Sequence, residues 1–160
     1  MELVTLTTQY RICKYPSELS ASDVEILEVA SGMLDYAYAP YSGFHVGAAI
    51  RLADGKIYPG SNQENASYPL CMCGERVALY NASANSPGIA PETLAIVVRN
   101  PKKAVLIPAS PCGACRQVIS EYENRYGQPI RILLKAESDD VFELRSVAEL
   151  LPLGFNDSYL

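Results

Sequence analysis

The chain has no run of lysine or arginine longer than Lys102-Lys103, no apolar stretch of membrane-spanning length, and one histidine, His45. Each absence excludes something. A protein that follows a duplex or a long single strand needs a basic stripe to neutralise phosphates, so no nucleic-acid polymer is expected as a partner. A transmembrane helix takes about 20 consecutive apolar residues, so no membrane is expected either. The opening Met1-Glu2-Leu3-Val4-Thr5 lacks the charged and then apolar pattern of a secretory signal. His45 stands outside the motifs described below and reads as a hydrogen-bonded structural or surface residue rather than a metal ligand.

What remains is ordinary for a globular protein: 160 residues, 49% hydrophobic and 19% charged, with a formal charge of −5. That length fits a single domain over residues 1–160 that buries a core without disulfides. The acidic balance favours a small, neutral ligand. No internal repeat or low-complexity linker interrupts the chain.

Cysteine is where the sequence becomes specific. Four of its five cysteines crowd into Cys71-Met72-Cys73-Gly74-Glu75-Arg76 and Ser110-Pro111-Cys112-Gly113-Ala114-Cys115-Arg116-Gln117. An odd number, clustered in this way, suits a metal site in a reducing compartment better than a disulfide framework. A cytoplasmic protein is expected. Cys13 reads as an unpaired apolar residue.

Residues 1–20 stand apart, with Val4, Leu6, Thr8, Tyr10 and Ile12 alternating as in a short edge strand. Ser22-Asp23-Val24-Glu25 resembles a capping box that opens a helix, whose apolar positions Leu27, Ala30, Leu34 and Ala37 follow at helical spacing. Strands are expected at 46–52 and 56–60, joined through an Asp54-Gly55 hairpin turn, and buried strands at 94–99 and 130–134. Helices are expected at 73–83, 112–125 and, briefly, 146–150. This order predicts helices on both faces of a central mixed sheet: antiparallel at the hairpin, parallel where later strands are joined across helices.

A catalytic zinc takes three protein ligands and leaves its fourth position open. Cys112 and Cys115, three apart at a helix start, can turn both sulfurs to one point, and Cys73 at the head of another helix completes the set. Cys71 is set aside because only Cys73 stands two residues before Glu75, and because Cys71 falls on the preceding loop. A site using all four cysteines would instead be closed and structural. Three thiolates leave the site negatively charged, which opposes ionisation of a bound water. The two helix N-termini offset that charge. Arg76 and Arg116, each beside a motif residue, are candidates to donate hydrogen bonds to sulfur, surface ion pairs being the blander reading. Glu75 alone would read as a solvated glutamate at a helix start; beside Cys73 it reads as a proton carrier.

A Cys-x-Glu paired with Pro-Cys-x-x-Cys is the pattern of zinc-dependent nucleobase deaminases. From about Ser22 onward the chain resembles the cytidine deaminases, of the small, three-cysteine, homotetrameric type. Besides the cysteine motifs, the resemblance runs through Tyr38-Ala39-Pro40-Tyr41-Ser42-Gly43-Phe44-His45-Val46-Gly47-Ala48-Ala49, Gly60-Ser61-Asn62-Gln63-Glu64-Asn65-Ala66-Ser67-Tyr68 and Glu149-Leu150-Leu151-Pro152-Leu153-Gly154-Phe155. It implies a three-layer α/β/α cytidine-deaminase-like fold with a central five-stranded mixed sheet. It also implies one Zn²⁺ per subunit on Cys73, Cys112 and Cys115, with Glu75 as proton shuttle. The reaction implied is hydrolytic deamination of cytidine and 2′-deoxycytidine, with release of ammonia, in pyrimidine salvage. Asn62 and Glu64 match positions that bind the ribose hydroxyls, and Phe44 matches an aromatic at the substrate pocket. The Gly74 backbone and the Ser110 carbonyl match groups that read the pyrimidine edge. Phe155 matches a residue that stacks on the base bound in a neighbouring subunit of a homotetramer with composite sites.

The chain departs from the family at Gly74, where alanine is usual and where a looser pocket floor is expected, and at Cys71. Residues 1–20 and the stretch around Pro101-Lys102-Lys103 extend beyond the family core. Other readings make different demands. A structural zinc module would be indifferent to Glu75. A redox pair at Cys112 and Cys115 leaves Cys73 and Glu75 without a role. Purine and tRNA deaminases usually carry His-x-Glu. Blasticidin-type enzymes share the cysteines, but the Asn62-Gln63-Glu64-Asn65 segment favours nucleosides.

Overall fold

The computed structural model describes residues 1–160. In chain order it contains β1 (Arg11–Lys14), α1 (Ala21–Gly32), β2 (His45–Leu52), β3 (Ile57–Ser61), α2 (Gly74–Asn85), β4 (Pro91–Arg99), α3 (Gly113–Tyr126), β5 (Arg131–Lys135) and β6 (Asp140–Leu144), with short 3-10 turns between and after them. The strands form one sheet in the order β1-β6-β5-β4-β2-β3. Only β4 and β5 run parallel, joined across α3; the other neighbours are antiparallel.

The alternation of β4 explains the layering. Leu94, Ile96 and Val98 face one side of the sheet, where α2 (Ala78, Leu79, Ala82) and α3 (Ile119) pack. Ala95 and Val97 face the other, against Ile26, Leu27 and Ala30 of α1. Burial of these two apolar faces is the main force holding three layers together. The helices sit unusually close at two glycines. A Cβ on Gly47 would fall 2.0 Å from the Ala30 carbonyl oxygen, and one on Gly60 would fall 2.4 Å from the Ala78 amide nitrogen. Glycine at these two places lets α1 and α2 seat directly on the hairpin.

The three-layer α/β/α fold is as expected, but the sheet has six strands, not five. The strand not foreseen is β6, whose Asp-Val-Phe-Glu-Leu sequence buries only Val141 and Leu144 fully. It gives no long apolar run to read. The amino-terminal alternation is a strand only over Arg11–Lys14, which pairs with β6; residues 1–10 are exposed and carry no regular element. The cap of α1 also moves. Ser20, not Ser22, accepts the Asp23 amide at 3.1 Å, while Glu25 of the expected box pairs with Arg51 at 2.6 Å. Asp23 itself is buried and paired with Arg131 of β5, which also meets Glu143 of β6 at 3.1 Å. The helix expected at 146–150 is a single 3-10 turn, Val147–Glu149.

Candidate active site

Both cysteine motifs cap helices. Cys73 is the N-cap of α2 and Cys112 the N-cap of α3, each with extended backbone, and Cys115 lies in the first turn of α3. The two helix starts bring the Cys73, Cys112 and Cys115 sulfurs within 4.8 Å of one another. The Cys73–Cys112 and Cys112–Cys115 separations are 4.0 and 3.4 Å. Tetrahedral bonds of about 2.3 Å to zinc place sulfurs about 3.8 Å apart. The donor set therefore fits a zinc ion in both element and spacing. Cys71 is not part of the cluster; its sulfur exchanges hydrogen bonds with the backbone of Asn65.

The surroundings are electropositive where thiolates need it. A hydrogen bond from the Cys115 thiol pulls the Cys73 thiol below its usual range, and Arg76 reinforces the shift against the opposing effect of burial. The same bond, together with burial, pushes Cys115 up. Arg76 donates through Nη2 to the Cys73 sulfur at 3.7 Å and to the Cys71 carbonyl at 3.3 Å. Both helix N-termini add partial positive charge. Arg116 corrects the expectation made for it: it reaches no sulfur. Its Nε donates to the Pro111 carbonyl at 2.8 Å and its Nη1 to the Leu150 carbonyl at 2.8 Å, bracing the loop from which Cys112 emerges.

Glu75, the second residue of α2, is 4% exposed and lines a cavity of about 350 Å³ that also reaches Cys73 and Cys112. Burial pushes its carboxyl above the ordinary range; a hydrogen bond from Cys115 opposes this and the nearby Cys73 charge adds to it. A carboxyl in that environment holds and releases a proton more readily near neutral pH than a solvated one.

Phe44, Asn62, Glu64 and Ser110 line the same cavity. Phe44 also packs on the larger core. The Asn62 amide bridges two strand-end groups, accepting from the Val46 N–H at 2.8 Å and donating to the Phe44 carbonyl at 2.9 Å. Glu64 accepts from the Tyr41 and Ser42 N–H groups at 2.8 and 3.2 Å, and from the Ser42 hydroxyl. Its carboxyl is held below its ordinary value, because these bonds outweigh the upward push of burial. A charged oxygen acceptor is thus fixed at the cavity mouth.

Gly74 does not line the cavity. A Cβ there would lie 2.9 Å from the Val46 carbonyl oxygen and 3.3 Å from the Asn62 amide nitrogen. Glycine at this position marks a tight seat of α2 on β2, not the looser floor expected. Phe155 is 57% exposed and lies outside the cavity of its own chain, stacked on Tyr159 with ring centroids 5.6 Å apart. His45 bonds through Nδ1 to the Leu34 carbonyl at 2.9 Å, a structural role. Ser42, Ile96 and Val98 are wall residues that sequence reasoning did not single out. The buried strand expected at 94–99 put Ile96 and Val98 in the core without saying that their face meets a cavity.

Comparison with known proteins agrees with this geometry. Residues 20–126 match the family described as the cytidine and deoxycytidylate deaminase zinc-binding region. The chain is 41% identical to the cytidine deaminase of Sporosarcina psychrophila over 123 residues, covering 76% of this chain and 82% of that protein. It is 42% identical to the cytidine deaminase of Halalkalibacterium halodurans over 119 residues, covering 74% and 83%. The crystal structure of a cytidine deaminase from Burkholderia pseudomallei superposes with a TM-score of 0.71 at 41% identity, covering 82% of this chain and 97% of that one. Fold, cysteine cluster and sequence agree: the chain belongs to the cytidine deaminase family.

Proposed function

We propose that the protein is a zinc-dependent cytidine deaminase, acting on cytidine and 2′-deoxycytidine. The observation that carries this is the burial of Glu75 in a cavity that also reaches Cys73 and Cys112 of the three-thiol cluster. Cys73, Cys112 and Cys115 would hold the zinc ion. Zinc in such a site supplies Lewis acidity, which lets water ionise near neutral pH. Glu75 takes a proton from the attacking water and passes it to N3 of the pyrimidine, which makes C4 electrophilic. The same carboxyl later protonates the departing amino group. The C4–N bond breaks, a C4–O bond replaces it, one water is consumed and ammonia leaves.

The cavity walls support a nucleoside rather than a free base. Glu64 and Asn62 would meet the ribose hydroxyls, Phe44 would bound the sugar and base, and the Ser110 carbonyl would read the pyrimidine edge, while Gly74, outside the cavity, seats α2 against β2. Arg76 donates to the Cys73 sulfur and would help to hold it in the thiolate form, and Arg116 braces Pro111 beside Cys112. The outward position of Phe155 suits a role in the site of a neighbouring subunit, as in a homotetramer. We place the protein, as one domain, in the cytoplasm and in pyrimidine salvage; no helix is long and apolar enough to cross a membrane. Incubating the zinc-loaded protein with cytidine and following loss of the cytosine absorbance tests the reading. A zinc-loaded protein that leaves cytidine, deoxycytidine and blasticidin S untouched would overturn it.

A further inference from the structure

One side chain on the wall of the cavity has no task in the proposed reaction, yet it is bonded to residues that do. Ser42 stands in the turn before β2, where Gly43 takes a φ of +65° and sends the chain back into the sheet. With Phe44, Asn62 and Glu64 it lines the cavity. Its hydroxyl donates to the Glu64 carboxylate and accepts the Phe44 N–H at 2.9 Å.

The two segments are zipped together around this hydroxyl. The Glu64 N–H donates to the Tyr38 carbonyl at 2.8 Å, and the Tyr38 N–H donates to the Asn62 carbonyl at 3.0 Å. Asn62 closes the circuit by donating through Nδ2 to the Phe44 carbonyl at 2.9 Å. Phe44, Asn62 and Glu64, the residues proposed to meet the sugar, therefore share one network. Ser42 is its link between the Phe44 backbone and the Glu64 carboxylate.

The donors around Glu64 are divided unequally between its oxygens. The Tyr41 and Ser42 N–H groups both donate to Oε2, at 2.8 and 3.2 Å, while the Ser42 hydroxyl donates to Oε1. An ionised carboxylate accepts about four hydrogen bonds, two on each oxygen. Oε2 is therefore filled by the main chain, and the acceptor site that remains is on Oε1. Held at Oε2 alone, the carboxylate can swing about that oxygen. The Ser42 hydroxyl fixes its plane and so sets the direction in which Oε1 accepts.

We propose that Ser42 is a positioning residue for sugar recognition: it orients Glu64 Oε1 to accept one ribose hydroxyl, and thereby favours nucleosides over their 2′,3′-dideoxy analogues. This role rests on the reading of the cavity as a nucleoside site. The hydrogen bonds of Ser42 go to Glu64 and Phe44 and to none of Cys73, Glu75, Cys112 or Cys115. Its effect falls on binding of the sugar rather than on the chemistry at C4.

The test measures kcat and KM for cytidine and 2′,3′-dideoxycytidine in zinc-loaded wild type, Ser42→Ala and Ser42→Thr, with zinc content and thermal midpoint taken on each protein. Calorimetric binding of uridine and 2′,3′-dideoxyuridine runs alongside. Ser42→Ala should raise KM for cytidine about tenfold with little change in kcat, and lower the cytidine-to-dideoxycytidine ratio of kcat/KM by about the same factor. Ser42→Thr keeps the hydroxyl and should restore most of the ratio. A purely structural role would weaken both substrates alike and leave the ratio unmoved. If Ser42→Ala does not fold, Ser42→Cys, with its weak thiol donor, replaces it with the same expected direction. Active cytidine turnover with a ratio indifferent to the loss of the hydroxyl overturns the positioning role and leaves the cytidine reading standing. If turnover of either compound is too slow to measure, the binding arm decides. A preference for uridine over dideoxyuridine that is lost with the hydroxyl and regained in Ser42→Thr supports the role even where the activity reading has failed. The same preference in every protein, or none in wild type, overturns it.

Discussion

Arg116 donates through Nε to the Pro111 carbonyl at 2.8 Å, and so fixes the residue that leads into Cys112. Its second bond, to Leu150, ties the same loop to the chain beyond β6. Arg116→Ala leaves two carbonyls without a donor, a cost of about 1–3 kcal/mol. It also loosens Cys112, and the loss of such a support lowers metal affinity about 10–100-fold. Chelator competition for zinc and thermal unfolding read the two effects separately. Unchanged zinc affinity would show that Cys112 is positioned without Arg116.

Gly60 sets how closely α2 approaches the sheet. A Cβ there meets backbone of α2, at Ala78 and Gly74, within 2.4 and 2.6 Å. The helix that carries Glu75 must shift to admit it. Gly60→Ala should destabilise the protein by about 1–3 kcal/mol and lower kcat more than it raises KM. Chemical denaturation and steady-state kinetics test this. A variant of native stability would mean that the helix and hairpin accommodate the methyl group freely.

Acid should weaken the mouth of the cavity through Glu64. Its carboxyl is held below the ordinary 4.5 in the folded protein. A depressed folded pKa gives a contribution to stability that is fully present above the unfolded value and lost as pH falls through the folded one. Glu64→Gln should therefore cost stability at pH 7, and the difference from wild type should shrink on acidification below about pH 4.5. Urea midpoints across that range check the sign. A gap that widens on acidification would contradict it.

Much of the site was legible because zinc chemistry constrains it locally. Cys73, Glu75, Cys112 and Cys115 fall in two short motifs, and helix starts at both motifs suffice to bring them together. The partners of Arg116 were not legible, because Leu150 lies 34 residues away and nothing in either segment signals the contact. The exclusion of Gly74 from the cavity depends on the depth at which α2 meets β2, which no local pattern encodes. Strand β6 was missed for a related reason. At 140–144 its stability comes from pairing with β5 and β1 rather than from a continuous apolar run. Helix α1 was foreseen, but it is capped two residues early, at Ser20, because Ser20 and Ser22 are both competent caps, and it stops at Gly32, so that Leu34 lies in a 3-10 turn and Ala37 on extended backbone beyond it.

Zinc removal should couple activity to folding. The three thiols share one cluster between the starts of α2 and α3, so a bound ion cross-links these two helices. Stripping it with a chelator at neutral pH should abolish deamination and lower the thermal midpoint, and added Zn²⁺ should restore both. Full cytidine turnover by protein shown to be metal-free would contradict the assignment of the cluster.

The role of Glu75 is tested most directly by cytidine turnover of wild type and Glu75→Gln, with zinc measured on the same samples. One zinc per chain is expected in both proteins, with a fall in kcat of about 10²–10⁴-fold in the variant. Near-wild-type turnover by a zinc-loaded Glu75→Gln protein would contradict it.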